Sequence, residues 1–151
     1  MSTCGRTVVG RGLDSARALL AITAKSPYAV RALTELVRAG GDRPVPLGEI
    51  ARRRDVPVQF LEGLFGTLRR AGILQSQRGV KGGYSFGRPP GKITVLEIVE
   101  LLDGELGAEA RAAGPPWADA VEALRSVLGE VTVAELAERE ADAAAAPMYY
   151  I

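Results

Sequence analysis

The chain of 151 residues has no histidine and a single cysteine, Cys4. Those two absences remove a good deal of chemistry. There is no imidazole base, no Ser-His-Asp triad and no Cys/His zinc site, and a lone thiol closes no internal disulfide. No carboxylate cluster has the spacing of a calcium loop, so no metal is expected. A phosphate-cradling GxxxxGK loop is missing too, as is any polar constellation at catalytic spacing, so an enzyme is not expected. Aromatics are few, at 5%. No stretch reaches the roughly 18 apolar residues of a membrane span. The opening MSTCGRTVVGRGLDSARALL has no uninterrupted apolar core and no cleavage site, so no secretion signal is read and a cytoplasmic protein is expected.

What is present is a division of charge that the net +1 conceals. Residues 1–46 hold seven Lys/Arg against three Asp/Glu, giving +4, and residues 47–92 hold nine against three, giving +6. Residues 93–151 hold three against twelve, giving −9. A basic front and an acidic rear suit a protein that meets phosphate with one half only.

The basic block coincides with a recognisable order of elements. Residues 1–21 have weak periodicity and read as a flexible N-terminal extension. A first helix is expected from Ser26 as N-cap with Pro27 in the first turn, its apolar face made by Tyr28, Val30, Leu33, Leu36 and Val37 and its end marked by Gly40-Gly41. Leu47 to Arg54 reads as a second helix with Arg52, Arg53 and Arg54 largely outward. Asp55-Val56-Pro57 is the turn. Val58 to Ala71 reads as a third helix with Phe60, Leu61, Leu64, Phe65 and Leu68 as its apolar stripe. Gly63 and Gly66 within it suit a face pressed against DNA or another helix. Ile73–Gln77 and Gly83–Phe86 are strand candidates flanking a glycine-rich tip at Arg78–Gly82. The fold class expected is therefore mainly α, a winged helix-turn-helix with a two-stranded wing.

The rear half is helical by pattern. Thr94 with Glu97 and Thr132 with Glu135 have the spacing of capping boxes. Val95, Ile98, Val99 and Leu102 form the apolar face of the helix after Thr94. Residues 105–116 read as a loop. Trp117, Val121, Leu124 and Leu128 mark an amphipathic helix, Leu136 belongs to a short final helix, and 141–151 reads as a frayed tail.

In a helix-turn-helix the second helix offers its first turn to base edges, which selects Pro57, Gln59, Phe60 and Glu62. Gln59 suits adenine, Glu62 a cytosine amino group, and Phe60 a thymine methyl. Phe60 is equally suited to the core, and Glu62 to a neighbouring arginine. Arg52, Arg53 and Arg54 are candidate phosphate contacts rather than base readers. Arg69 suits either phosphate or the negative end of its own helix. Arg78 and Lys81 on the thin hairpin suit groove and phosphate contacts. A winged-helix interaction module without DNA binding is the alternative, and the retained wing cations speak against it.

The segments ITAKSPYAVRAL, PVPLGEIARRRDVPVQFLEGLFGTLRRAGIL and RGVKGGYSFGRPPGKITVLEIVELLDG resemble the Rrf-two family of regulators (the IscR, NsrR and CymR group) across residues 22–104, with weaker agreement at AELAE, 134–138. The resemblance implies a homodimeric winged-helix regulator, expected to be a bacterial repressor, on a pseudo-palindromic operator of double-stranded DNA. It implies base and phosphate contacts at Pro57, Gln59, Phe60, Glu62 and Arg78, and a dimerisation helix over Trp117–Leu128 within residues 117–140. Many members hold an iron–sulfur cluster through three cysteines after the wing domain. Here the equivalent DGELGAEARAAGPPW has none. No cluster and no other cofactor is expected, and a small molecule or partner protein is expected to set DNA affinity instead.

Overall fold

Helix α1 spans Lys25–Gly40 in the computed structural model, which describes residues 21–40 and 43–145. The expected N-terminal extension lies almost wholly outside the described residues, as does the end of the tail. The expected N-cap shifts. Thr23, not Ser26, takes a free amide at the helix start, its hydroxyl accepting the Lys25 N–H at 3.2 Å. Ser26 lies inside the first turn and donates its hydroxyl to Asp103 Oδ2 at 2.5 Å, while Thr23 donates to the other oxygen of the same carboxylate. The α1 core face is built by Ala29, Ala32, Leu33 and Leu36, but Thr34 and Glu35 are buried as well. A helix buried on so much of its circumference needs a second partner, which the chain's other end supplies.

Helices α2 (Leu47–Arg54) and α3 (Val58–Arg70) form the helix-turn-helix. Asp55 ends α2 in the left-handed region at φ 53°, a conformation that Asp tolerates better than most residues. Its amide and that of Val56 close onto α2, with Val56 N–H to Ala51 O at 2.9 Å. Val56 is buried beneath the turn, and Pro57 enters α3. Inside, Leu61, Leu64, Phe65 and Leu68 bury the α3 stripe against α1 and α2, together with Ile50 and Ala51. Gly63 meets nothing within 4 Å of an added Cβ, so no backbone approaches it within the subunit.

Strands β1 (Leu74–Gln77) and β2 (Gly83–Phe86) pair antiparallel, with Leu74 opposite Phe86 and Gln77 opposite Gly83. A single bridge, Val45 to Tyr84, anchors this wing to the segment before α2 through bonds of 2.8 and 2.9 Å. That approach requires Gly83: at φ 147° an added Cβ would stand 2.3 Å from the Val45 carbonyl.

A short 3-10 turn, Pro90–Lys92, leads to α4 (Val95–Asp103), α5 (Ala108–Ala112), α6 (Trp117–Glu130) and α7 (Val133–Ala145). Both expected capping boxes form by half. Thr94 and Thr132 accept the N–H of Glu97 and Glu135 at 3.2 Å. The reciprocal carboxylates turn elsewhere, Glu97 to Arg88 and Glu135 to Arg139, each at 2.5 Å. A cation within reach outcompetes a backbone amide for a carboxylate.

Three sequence expectations for this half are corrected. Residues 105–116 are not simply a loop, because α5 forms within them with Ala110 buried, and Leu106 just before it is buried too. Val121 is not available to a partner subunit, being 1% exposed within its own chain. Gly107, at φ 86°, lets the backbone ride against it, where an added Cβ would lie 2.0 Å from Val121 Cγ1. The final helix is not short either. α7 runs 13 residues, including the first residues assigned to a tail. It folds back onto α1, and Val133 joins the main core.

Candidate nucleic-acid interface

Apolar burial on one side of α3 leaves its opposite side in solvent from the first turn onward. Pro57, Val58, Gln59, Glu62 and Gly63 are exposed there. Glu62 makes no ion pair among the described residues. Phe60 faces the other way. Its half-buried ring packs on the core and meets Tyr28 edge-on, with centroids 5.6 Å apart. The geometry therefore favours the core role for Phe60, because an aromatic ring held at that angle stays against its partner.

Two exposed apolar residues beside these polar ones escaped the sequence reading. Val58 opens α3 at 49% exposure, and Val80 stands fully exposed at the wing tip between the two cations. Valine in a periodic segment is counted as core by default. At the first position of a recognition helix, however, it is also the right chemistry for a thymine methyl.

The basic residues divide into held and unheld. Arg52, Arg78 and Lys81 are exposed and form no ion pair among the described residues. Arg69 is exposed and leans toward the wing, with Nη1 3.5 Å from Ser76 Oγ. Arg53 is outward as expected, its side chain 44% exposed, but it is held: its guanidinium reaches Glu35 at 3.1 Å and Glu49 at 2.5 Å. Arg54 does differ from its outward expectation. Its side chain is 15% exposed, and it donates Nε to Glu35 at 2.8 Å and Nη2 to Glu140 at 2.6 Å.

Burial alone pushes the Glu35 carboxyl up, but the guanidinium hydrogen bonds of Arg54 and Arg53 more than offset it and hold the group below its ordinary 4.5. Glu100 is held low mainly by the hydrogen bond from Arg125, assisted by the Leu106 N–H, against some desolvation. Carboxyls with depressed folded values bind fewer protons folded than unfolded. Their contribution is complete above the ordinary value and is lost as pH falls through the folded one. Thermal stability is thus expected to be level between about pH 6 and pH 8 and to fall below about pH 4.5. In Glu35→Gln the melting temperature is lower at neutral pH but the acid decline is shallower, which a pH series of melts reads directly. Equal acid slopes in the two proteins would exclude Glu35 as a contributor.

At the rear, Trp117 is 52% exposed, Val127 59% and Leu101 36%, whereas Leu124 and Leu128 are half-buried. Among the described residues, no helix is long and apolar enough to cross a membrane.

A helix-turn-helix with exposed polar residues on α3, followed by a glycine-tipped cationic wing, is the geometry of a DNA-binding regulator. The family model Rrf2, described as iron-dependent transcriptional regulator, matches residues 22–139. The chain belongs to the Rrf2 family. It is a DNA-binding transcriptional regulator, and the family is not enzymatic. The HTH-type transcriptional regulator IscR of Xenorhabdus nematophila is 33% identical over 131 residues, covering 79% of this chain and 80% of the relative. Among solved structures, T. potens IscR superposes with a TM-score of 0.74 at 32% identity, covering 86% of this chain and 95% of that one. CymR (YrzC), the global cysteine regulator of B. subtilis, gives 0.70 at 32% identity, covering 80% and 98%.

The family description implies iron, and the residues present do not fit it. Thiolate and imidazole donors are limited to Cys4, outside the described residues. Among the described residues no three His, Cys, Asp or Glu side chains converge on a metal-sized space. Of the acidic residues in the α4–α6 connection, Glu105 is already paired with Arg111 at 2.6 Å. Carboxylates engaged by arginine are poor ligands for a cluster that thiolates normally hold.

Proposed function

We propose that this regulator is a homodimeric repressor that binds a pseudo-palindromic operator in the cytoplasm. It works without an iron–sulfur cluster, its DNA affinity being set by a small molecule or a partner protein. The observation that carries the DNA reading is the pairing of two unheld surfaces. The first turn of α3 presents Gln59 and Glu62, and the wing presents Arg78 and Lys81, with Arg52 and Arg69 as flanking phosphate contacts. Pro57 sets the entry of α3 beside those edges, and Phe60 serves it from the core side. Dimerisation is assigned to Trp117, Leu124 and Leu128 with the exposed Val127. Trp117 and Val127 leave apolar surface in water on α6, which a partner subunit would cover.

The test is a titration of the purified protein against fragments of its own promoter, read by anisotropy at several salt concentrations, with sedimentation giving the oligomeric state. The expected result is a two-fold footprint whose affinity falls steeply with salt. Air-free preparation with iron and sulfide should leave both the visible absorbance and that affinity unchanged. A monomer in sedimentation, or binding insensitive to salt, would count decisively against the reading.

A further inference from the structure

Arg54 is the one arginine of the helix-turn-helix that is withdrawn from solvent, and what withdraws it comes from the far end of the chain. Its planar fork donates three times: Nε to Glu35 on α1, and Nη1 and Nη2 to the two oxygens of Glu140 on α7, at 3.3 and 2.6 Å. Thr34 on α1 adds a hydroxyl contact to Glu140 at 3.4 Å, and Arg38 approaches the same carboxylate at 3.8 Å. The backbone of Arg54 is fixed as well, since its carbonyl accepts Arg31 Nη2 at 3.0 Å. Arg31 in turn lies over the Tyr28 ring, 5.6 Å from its centroid, and Tyr28 meets Phe60 in the first turn of α3. The residue where α2 stops is thereby tied to α1 and α7, and the helix that starts four residues later is tied back to α1.

We propose that Arg54 is a positioning residue of the reading head rather than a phosphate contact, with Glu140 as its second anchor, so that the last helix holds the turn from which the recognition helix starts. The physical case rests on three points. A guanidinium satisfied bidentately by one carboxylate and singly by another has little left for a phosphate. Glu35 is 8% exposed, so removing its partners leaves a charge poorly solvated, and the structure around it must shift. The turn has little else of its own, being three residues with one left-handed position and the single buried side chain of Val56.

The operator half of the test rests on the reading under Proposed function, so a DNA-free measurement stands beside it. Glu140→Gln, Arg54→Gln and the double variant are compared with wild type by amide hydrogen exchange and by DNA titration. Glu140→Gln, 84 residues from Val56 in sequence, should speed exchange of the Val56 amide by about ten-fold while leaving the Tyr84 amide of the wing unchanged. Preference for operator over random DNA should fall by about five- to ten-fold in each single variant, with the double no worse than Arg54→Gln alone, as for residues acting as a unit. The salt slope should not change. Unchanged Val56 exchange in Glu140→Gln would overturn the proposal. So would a slope lowered by about 0.9 in Arg54→Gln together with tighter binding of every DNA by Glu140→Gln, the signature of a lost phosphate contact and a removed repulsion. A wild type without operator preference would defeat the operator reading and leave the exchange result to decide this one.

Discussion

Phe65→Ala should destabilise the protein by about 3–5 kcal/mol, the cost of emptying a fully buried aromatic site. Phe65 is 0% exposed and lies on α3 with its ring edge-on to Tyr84 of the wing, centroids 5.1 Å apart at 73°. Tyr84 is fixed from behind by its two backbone bonds to Val45. The ring is therefore the joint between the recognition helix and the wing, and truncating it removes packing on both sides at once. Against a total stability of about 5–15 kcal/mol for a domain, a loss of that size leaves a marginal protein. Phe65→Leu keeps most of the volume and should cost closer to 1.5 kcal/mol or less, as volume-conserving core changes do. Urea melts of the three proteins, compared at equal slope, provide the measurement. A loss below about 1 kcal/mol in Phe65→Ala would mean that the site collapses freely and that some other contact sets the wing against the helix.

That joint was half legible in the sequence. The α3 stripe from Phe60 to Leu68 has helical spacing, and the glycine-rich run after it announces a hairpin, so both elements and their order could be read locally. The contact of Phe65 with Tyr84 could not, because nothing in a periodic pattern says which ring meets which. The same division runs through the rest of the molecule. Thr94 and Thr132 were identifiable as capping hydroxyls because a cap is settled within four residues. Ser26 was misassigned because its hydroxyl prefers a carboxylate 77 residues away. The inward turn of Val121 depends on Gly107 having φ 86°, a conformation the residue type permits but does not announce. Arg54 carries no local mark of being held, since its acidic partners Glu35 and Glu140 lie on other helices, whereas Arg53 has one local partner, Glu49 one turn before it, and one distant partner, Glu35. Of the candidate interface, Gln59, Glu62, Arg78 and Lys81 stand exposed where the pattern placed them. Val58 and Val80 were invisible because exposure, not residue type, makes them candidates.

Charge reversal of the wing, Arg78→Glu with Lys81→Glu, should weaken DNA binding by at least about two orders of magnitude, because each lost charge-assisted contact is worth about 1.5–3 kcal/mol. The tip is shaped by its backbone and not by these two side chains. Gly82 donates its N–H to Gly79 O at 3.0 Å, Gly79 has φ 111°, and an added Cβ at Gly82 would lie 2.2 Å from Gln77 O. Both cations are exposed and unpaired among the described residues. The reversed wing should consequently fold with stability within about 0.5 kcal/mol of wild type, as surface changes do. Alanine at the two positions separates contact from repulsion: the slope of log affinity against log salt should fall by about 0.9 for each phosphate no longer met. Arg53→Gln supplies the contrast. Its guanidinium is already shared between Glu35 and Glu49, so its removal should alter the salt slope by far less than either wing change. If the wing alanines left the slope untouched while Arg53→Gln lowered it, the phosphate contacts would belong to α2, and the hairpin would have to act through groove shape or through a protein partner instead.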